Sequence, residues 1–164
     1  MYVGFVTRTA APYFISYARE DRKLVDDLIA RLDPHLAGSK RYAFEKRTDT
    51  DLLPGTRWRE VLIKELERHR IALLLLSPTF LVQPFIVGEA LPRLVIPGKL
   101  VLPVLLKPVD LERQELHGLE DLHIFTMWGK DRQRAFSEFA GVRRDAFALE
   151  LYRAIEDRLD RDYR

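Results

Sequence analysis

The sequence predicts an open, mainly parallel α/β sheet of five strands with helices on both faces. Three observations predict it. Short apolar runs alternate with longer amphipathic ones along the chain. Ile71 to Leu76 is apolar at every position, as a strand covered on both faces must be. The strand–helix alternation itself selects the α/β class, because each crossover helix has to cover a face of the sheet. Right-handed crossovers bring all the strand C-terminal ends to one edge, where ligands bind in such folds.

Each element has its own signal. Tyr13-Phe14-Ile15-Ser16-Tyr17 is the first strand. Over 20–36, Leu24, Leu28 and Leu32 make a helical stripe, with Pro34 and Gly38 marking its end. Residues 41–45 alternate weakly as a second strand, and a polar loop over 47–56 turns at Pro54-Gly55. Trp58, Leu62 and Leu66 predict a helix over 57–70, leading into the third strand at 71–76. Ser77-Pro78 is a helix start, with Ser as the cap and Pro where its missing N–H costs nothing. That helix is expected to run to about Leu91, distorted at Pro84. Residues 100–106 form a fourth strand, in which Pro103 predicts a bulge or an edge. A loop over 107–120 precedes a short fifth strand over 122–127. From Arg144, Leu149, Tyr152, Ile155 and Leu159 carry a closing helix.

Composition bounds the function. The 164 residues fit one domain, read as an extension over 1–11 and a domain over 12–164 whose last helix leads toward a linker. With 47% hydrophobic residues the chain can fill a core. Twenty-seven basic against 25 acidic residues leave a net charge of +2, too balanced for a dedicated nucleic-acid binder. The absence of cysteine removes disulfides, thiol nucleophiles and cysteine zinc sites, and suits a reducing cytoplasm. No apolar run approaches the roughly 20 residues of a membrane helix, and the N-terminus lacks a basic leader. A cytoplasmic protein without membrane partners is expected.

Absent motifs narrow the field further. No glycines stand close enough for a dinucleotide fingerprint or a phosphate loop. There is no G-x-S-x-G elbow, and His35, His69, His117 and His123 lack zincin spacing. A phosphoacceptor receiver needs an acid after the third strand, where Leu76-Ser77-Pro78 has none.

Three segments follow the strand ends. They are Phe14-Ile15-Ser16-Tyr17-Ala18-Arg19-Glu20-Asp21, the stretch from Asp49-Thr50-Asp51 through Pro54-Gly55 to Trp58, and Ser77-Pro78-Thr79-Phe80-Leu81 continuing to Phe85 and Glu89. Their order and placement resemble the Toll/interleukin-1 receptor (TIR) domain family, in its bacterial branch, over roughly 12–159. The resemblance implies a flavodoxin-like TIR fold. It implies cleavage of the nicotinamide–ribose bond of NAD+, giving nicotinamide and ADP-ribose or a cyclic form of it, in bacterial anti-phage immunity. NAD+ is then the substrate and no cofactor is implied.

The same resemblance makes Glu89 the catalytic acid. Phe85 stands where the family usually has Trp, and four residues apart on a helix the two share a face. A carboxylate beside the ribose stabilises the oxocarbenium-like transition state or attacks to form a covalent intermediate. Nicotinamide leaves neutral, so no general acid is required. Ser16 and Tyr17 are candidate substrate contacts, Ser16 to a ribose hydroxyl, and Arg19 suits the pyrophosphate. Phe85, and Asp49 and Asp51 on a loop that moves on assembly in the family, are further candidate substrate contacts. The implied partners are other TIR domains, by self-association, and a sensor domain or partner protein. Two other readings stand beside this one: a non-catalytic TIR scaffold, and a deoxyribosyltransferase-like enzyme acting on nucleosides.

Overall fold

In the computed structural model four strands form one parallel sheet in the order β2-β1-β3-β4. They are β1 (Thr9–Ser16), β2 (Tyr42–Arg47), β3 (Ile71–Leu76) and β4 (Leu100–Leu105). The structure describes residues 7–47, 64, 71–84, 86–94 and 100–162. The expected loop over 48–56 and helix over 57–70 lie outside them, apart from Lys64, which is helical.

Alternation along the strands builds two cores. Tyr13 and Ile15 of β1, Leu73 and Leu75 of β3, and Leu102 and Val104 of β4 face one side. Helix α1 (Arg22–Ala37) covers them with Val25, Leu28, Leu32 and Leu36, and the closing helix (Val142–Asp162) adds Phe147, Leu151, Ile155 and Leu159. Phe14, Ala72, Leu74, Val101 and Leu105 face the other side, against Phe80, Leu81, Ile86, Leu91, Leu116 and Leu119. Burying each large side chain contributes about 1.5–3 kcal/mol. β3 is buried at all its positions, as its composition predicts.

Three departures from the sequence reading have local causes. β1 begins at Thr9, ahead of Tyr13, because Thr9 N–H donates to Arg41 O (2.8 Å) and the strand pairs with β2 from there. The end of α1 is as expected: the helix runs through Pro34, which in the last turn removes only one ladder bond, and stops at Gly38.

The expected helix after β3 is broken. Ser77 Oγ accepts the Phe80 N–H, and only a short 3-10 turn, Phe80–Val82, follows. Gln83 is extended (φ −70°, ψ 120°), the conformation that Pro84 imposes on the residue before it. The chain then makes a π-helical turn, Ile86–Ala90, and a short helix α2 (Leu91–Leu94).

The fifth strand is reduced to one parallel bridge, Val104 to Phe125. Phe125 N–H donates to Pro103 O (2.7 Å) and Leu105 N–H donates to Phe125 O (2.9 Å). Pro103 has no N–H to offer outward, so pairing ends there and β4 is the edge of a four-stranded sheet. The chain continues into a small antiparallel hairpin, β5 (Met127–Trp128) and β6 (Gln133–Arg134), and then into the closing helix, α3 (Val142–Asp162).

Ion pairs close the seam between α1 and α3. Arg31 meets Asp27 (2.9 Å) and Asp145 (2.6 Å), and Arg144 meets Asp27 (2.6 Å). Burial alone would push the Asp27 carboxyl up; hydrogen bonds from Arg31 and Arg144, with their charges, outweigh it and hold the group below its ordinary range. No helix among the described residues is long and apolar enough to cross a membrane.

Candidate functional site

The parallel order brings the C-terminal ends of β1, β3 and β4 to one edge, and a three-residue lock joins them. The Asp21 side chain, after β1, is fully buried; it accepts a hydrogen bond from Ser77 Oγ, after β3. Lys107 Nζ, after β4, lies 2.6 Å from Asp21 Oδ1. Ser77 Oγ in turn accepts the Phe80 N–H (3.1 Å), which fixes the start of the segment leading to Glu89. The N–H groups of Leu106 and Lys107 both donate to Leu76 O, at 2.9 and 3.1 Å. A buried carboxylate is tolerated here because a cation and a hydroxyl donor both meet it.

The candidates on β1 converge on this edge. Ser16 is buried at the strand end, opposite Leu74 of β3. Tyr17 is half-buried against the α1–α3 core. Arg19 is exposed in the 3-10 turn Arg19–Asp21 and makes no ion pair with another described residue. The adjacent Glu20 accepts a hydrogen bond from Gln83 Nε2 (3.1 Å), tying this turn to the segment after β3.

Glu89 lies in the π-helical turn Ile86–Ala90, which follows β3 at the same edge. π turns widen the backbone and recur at functional sites. The Glu89 side chain, and Asp49, Asp51 and Phe85 as whole residues, lie outside what is described. Among the described residues, no group of three His, Asp or Glu is arranged to hold a metal ion.

Sequence reasoning missed the lock. Asp21 sits in the charged run Glu20-Asp21-Arg22-Lys23, which looks like solvated surface, and Lys107 opens a loop. The available signal was positional, since all three residues closely follow strand ends that the fold class sends to one edge.

A cleft of about 480 Å³ lies beside the π turn, with Leu81, Val82, Pro84 and Val87 on one side and Gln114, Glu115 and His117 on the other. His117 adopts a left-handed backbone (φ 54°) followed by Gly118 (φ 93°). Its Nε2 lies 3.0 Å from Leu81 O; a carbonyl only accepts, so Nε2 carries the proton.

Comparison with known families finds a match to the TIR domain over residues 14–140, from within β1 to beyond the β5–β6 hairpin. No curated protein matches the chain. The matched span includes β3, the lock and the π turn, and takes up well over half of the sequence: the chain belongs to the TIR domain family.

Proposed function

We propose that the chain cleaves NAD+ at the nicotinamide–ribose bond, with Glu89 as the catalytic carboxylate. The observation that carries this reading is the backbone position of Glu89, in a π-helical turn at the ligand-binding edge of a TIR domain. In the reaction the C1′–N bond breaks and its electron pair leaves with nicotinamide, which becomes neutral. Positive charge develops on the ribose, and the Glu89 carboxylate stabilises it. Water then adds to C1′ and releases a proton, giving ADP-ribose; an adenine nitrogen adding in its place gives a cyclic product.

The other residues position the substrate. Ser16 and Tyr17 contact the ribose, and Arg19, exposed and without an ion-pair partner among the described residues, takes the pyrophosphate. Phe85 packs against the substrate, and Asp49 and Asp51 border it from the loop after β2. Self-association activates the site, in a bacterial anti-phage role. The test is nicotinamide release from NAD+, followed by chromatography across protein concentrations, for wild type and Glu89→Gln. Release that requires Glu89 supports the proposal. Release that survives the substitution removes Glu89 from the mechanism. No release at any concentration, together with capture of another TIR domain, favours the non-catalytic scaffold.

A further inference from the structure

We infer that Gln83 is a positioning residue for the proposed reaction: its side-chain bond to Glu20 sets the spacing between the turn that carries Arg19 and the turn that carries Glu89. That role in catalysis rests on the NAD+ reading above; the coupling between the two turns does not.

The topology creates the need for such a tether. The turn Arg19–Asp21 follows β1 and the π turn Ile86–Ala90 follows β3, its neighbour in the sheet. Strand pairing and the Asp21–Ser77 contact fix where the two segments begin. Between Ser77 and Glu89 the chain is not one helix. It breaks at Gln83, which is extended (φ −70°, ψ 120°) between the 3-10 turn and the π turn. An untied break at the end of an element is a hinge, and Glu89 lies beyond it.

Gln83 takes up the slack with three bonds. Its N–H donates to Phe80 O (3.3 Å), closing the 3-10 turn. Its carbonyl accepts the Val87 N–H (3.0 Å) at the start of the π turn. Its side-chain Nε2 donates to a Glu20 carboxylate oxygen (3.1 Å). An ionised carboxylate only accepts, so the amide nitrogen is the atom that faces it. Pro84 keeps the Gln83 backbone extended, so the carbonyl and the side chain project from one fixed conformation.

The other end of the tether is equally firm. Glu20 is exposed and makes no ion pair with another described residue, so no described cation competes for its carboxylate. Its turn is pinned on both sides. Ala18 is buried and its carbonyl accepts the Asp21 N–H (2.9 Å), while the Asp21 side chain is fully buried. A hydrogen bond to a charged acceptor is stronger than one between neutral groups, and here it joins two otherwise rigid turns.

The substrate makes the spacing matter. In NAD+ the pyrophosphate and the ribose C1′ are joined by a short covalent chain. A cation for the first and a carboxylate for the second must therefore stand at a matching separation, and a displacement of about 1 Å can lower the rate about a hundredfold. Gln83 reaches neither group directly; it acts through Glu20 on one side and Val87 on the other.

Amide hydrogen exchange at Val87, followed by NMR in the full chain, tests the coupling. Glu20→Ala and Gln83→Ala each speed it about fivefold, while Leu73 in β3 keeps its wild-type rate. The double variant is no faster than the faster single one, because the same bond is lost in all three. Gln83→Glu alone sets two carboxylates against each other and speeds exchange further. Adding Glu20→Gln to it restores a donor opposite an acceptor and slows exchange again. A wild-type rate at Val87 in Glu20→Ala overturns the inference, as does a double variant whose effects add, or an exchanged pair without rescue. NAD+ cleavage is read in parallel. There kcat/KM falls about tenfold in each Ala variant and recovers in the exchanged pair. An unchanged kcat/KM in variants whose Val87 exchange has risen overturns the positioning role. A wild type that releases no nicotinamide counts against the NAD+ reading, and the exchange rates then decide the coupling by themselves.

Discussion

Lys107 Nζ stands 2.6 Å from Oδ1 of Asp21, a carboxylate with no solvent exposure, and the contact joins the segments that follow β4 and β1. Ser77 completes it from the end of β3. The edge that carries the proposed site is thereby fastened by side chains as well as by the sheet.

Removing the cation leaves a buried carboxylate underpaired. Lys107→Met is expected to lower unfolding stability by about 2–3 kcal/mol, below the full cost of breaking a buried pair, because Lys107 is 40% exposed and water reaches its charge. Lys107→Arg retains most of it. Urea unfolding at neutral pH measures both, and an unchanged midpoint for Lys107→Met contradicts the prediction.

Ser77→Ala removes a donor to Asp21 and the acceptor for Phe80 N–H together. A loss of about 1–3 kcal/mol follows. Hydrogen exchange at Phe80 localises it: protection there should fall further than in the α1 core.

Phe147 is fully buried, with the rings of Phe125, Phe136 and Phe139 at 5.1, 5.3 and 6.1 Å. Phe147→Ala should cost about 3–5 kcal/mol, because a cavity opens among rings that cannot collapse into it. Thermal unfolding would expose a wrong assignment, since a surface position tolerates the change.

Acid sensitivity has a named contributor. Asp27 is held below its ordinary pKa in the folded state, so its contribution is present above the unfolded carboxylate value of about 3.9. It is lost as pH falls through the folded value. At pH 7 Asp27→Asn is therefore less stable than wild type, and the gap narrows as the solution becomes acidic. Urea titrations at a series of pH values check this; a gap constant with pH is the contrary result.

For the proposed reaction, Glu89→Gln keeps the shape of the side chain and removes its charge. Nicotinamide release should fall about a hundredfold or more, as when a single electrostatic stabiliser of a transition state is lost. Sedimentation of the variant should match wild type, which separates loss of chemistry from loss of assembly.

Much of this protein follows from local pattern. β3 is readable residue by residue, because a run apolar at every position has nowhere to go except between two layers. The leucines of α1, the bulge or edge that Pro103 predicts and the convergence of strand ends come from the same kind of reasoning. So do Ser16 and Arg19 as residues of that edge.

What only the tertiary structure decided are relations between distant segments. Pro84 announced a distortion, but whether the chain bent or broke depended on Gln83 becoming extended while Ile86 and Leu91 found the core. The stretch 122–127 has strand character, yet it meets β4 at one bridge, Val104 to Phe125, because β4 presents a proline there. Asp21 reads as surface until the fold buries it beneath Ser77 and Lys107. Periodicity reports which face of an element is apolar; it does not report which polar residue from another strand will meet it, because that contact exists only after long-range closure.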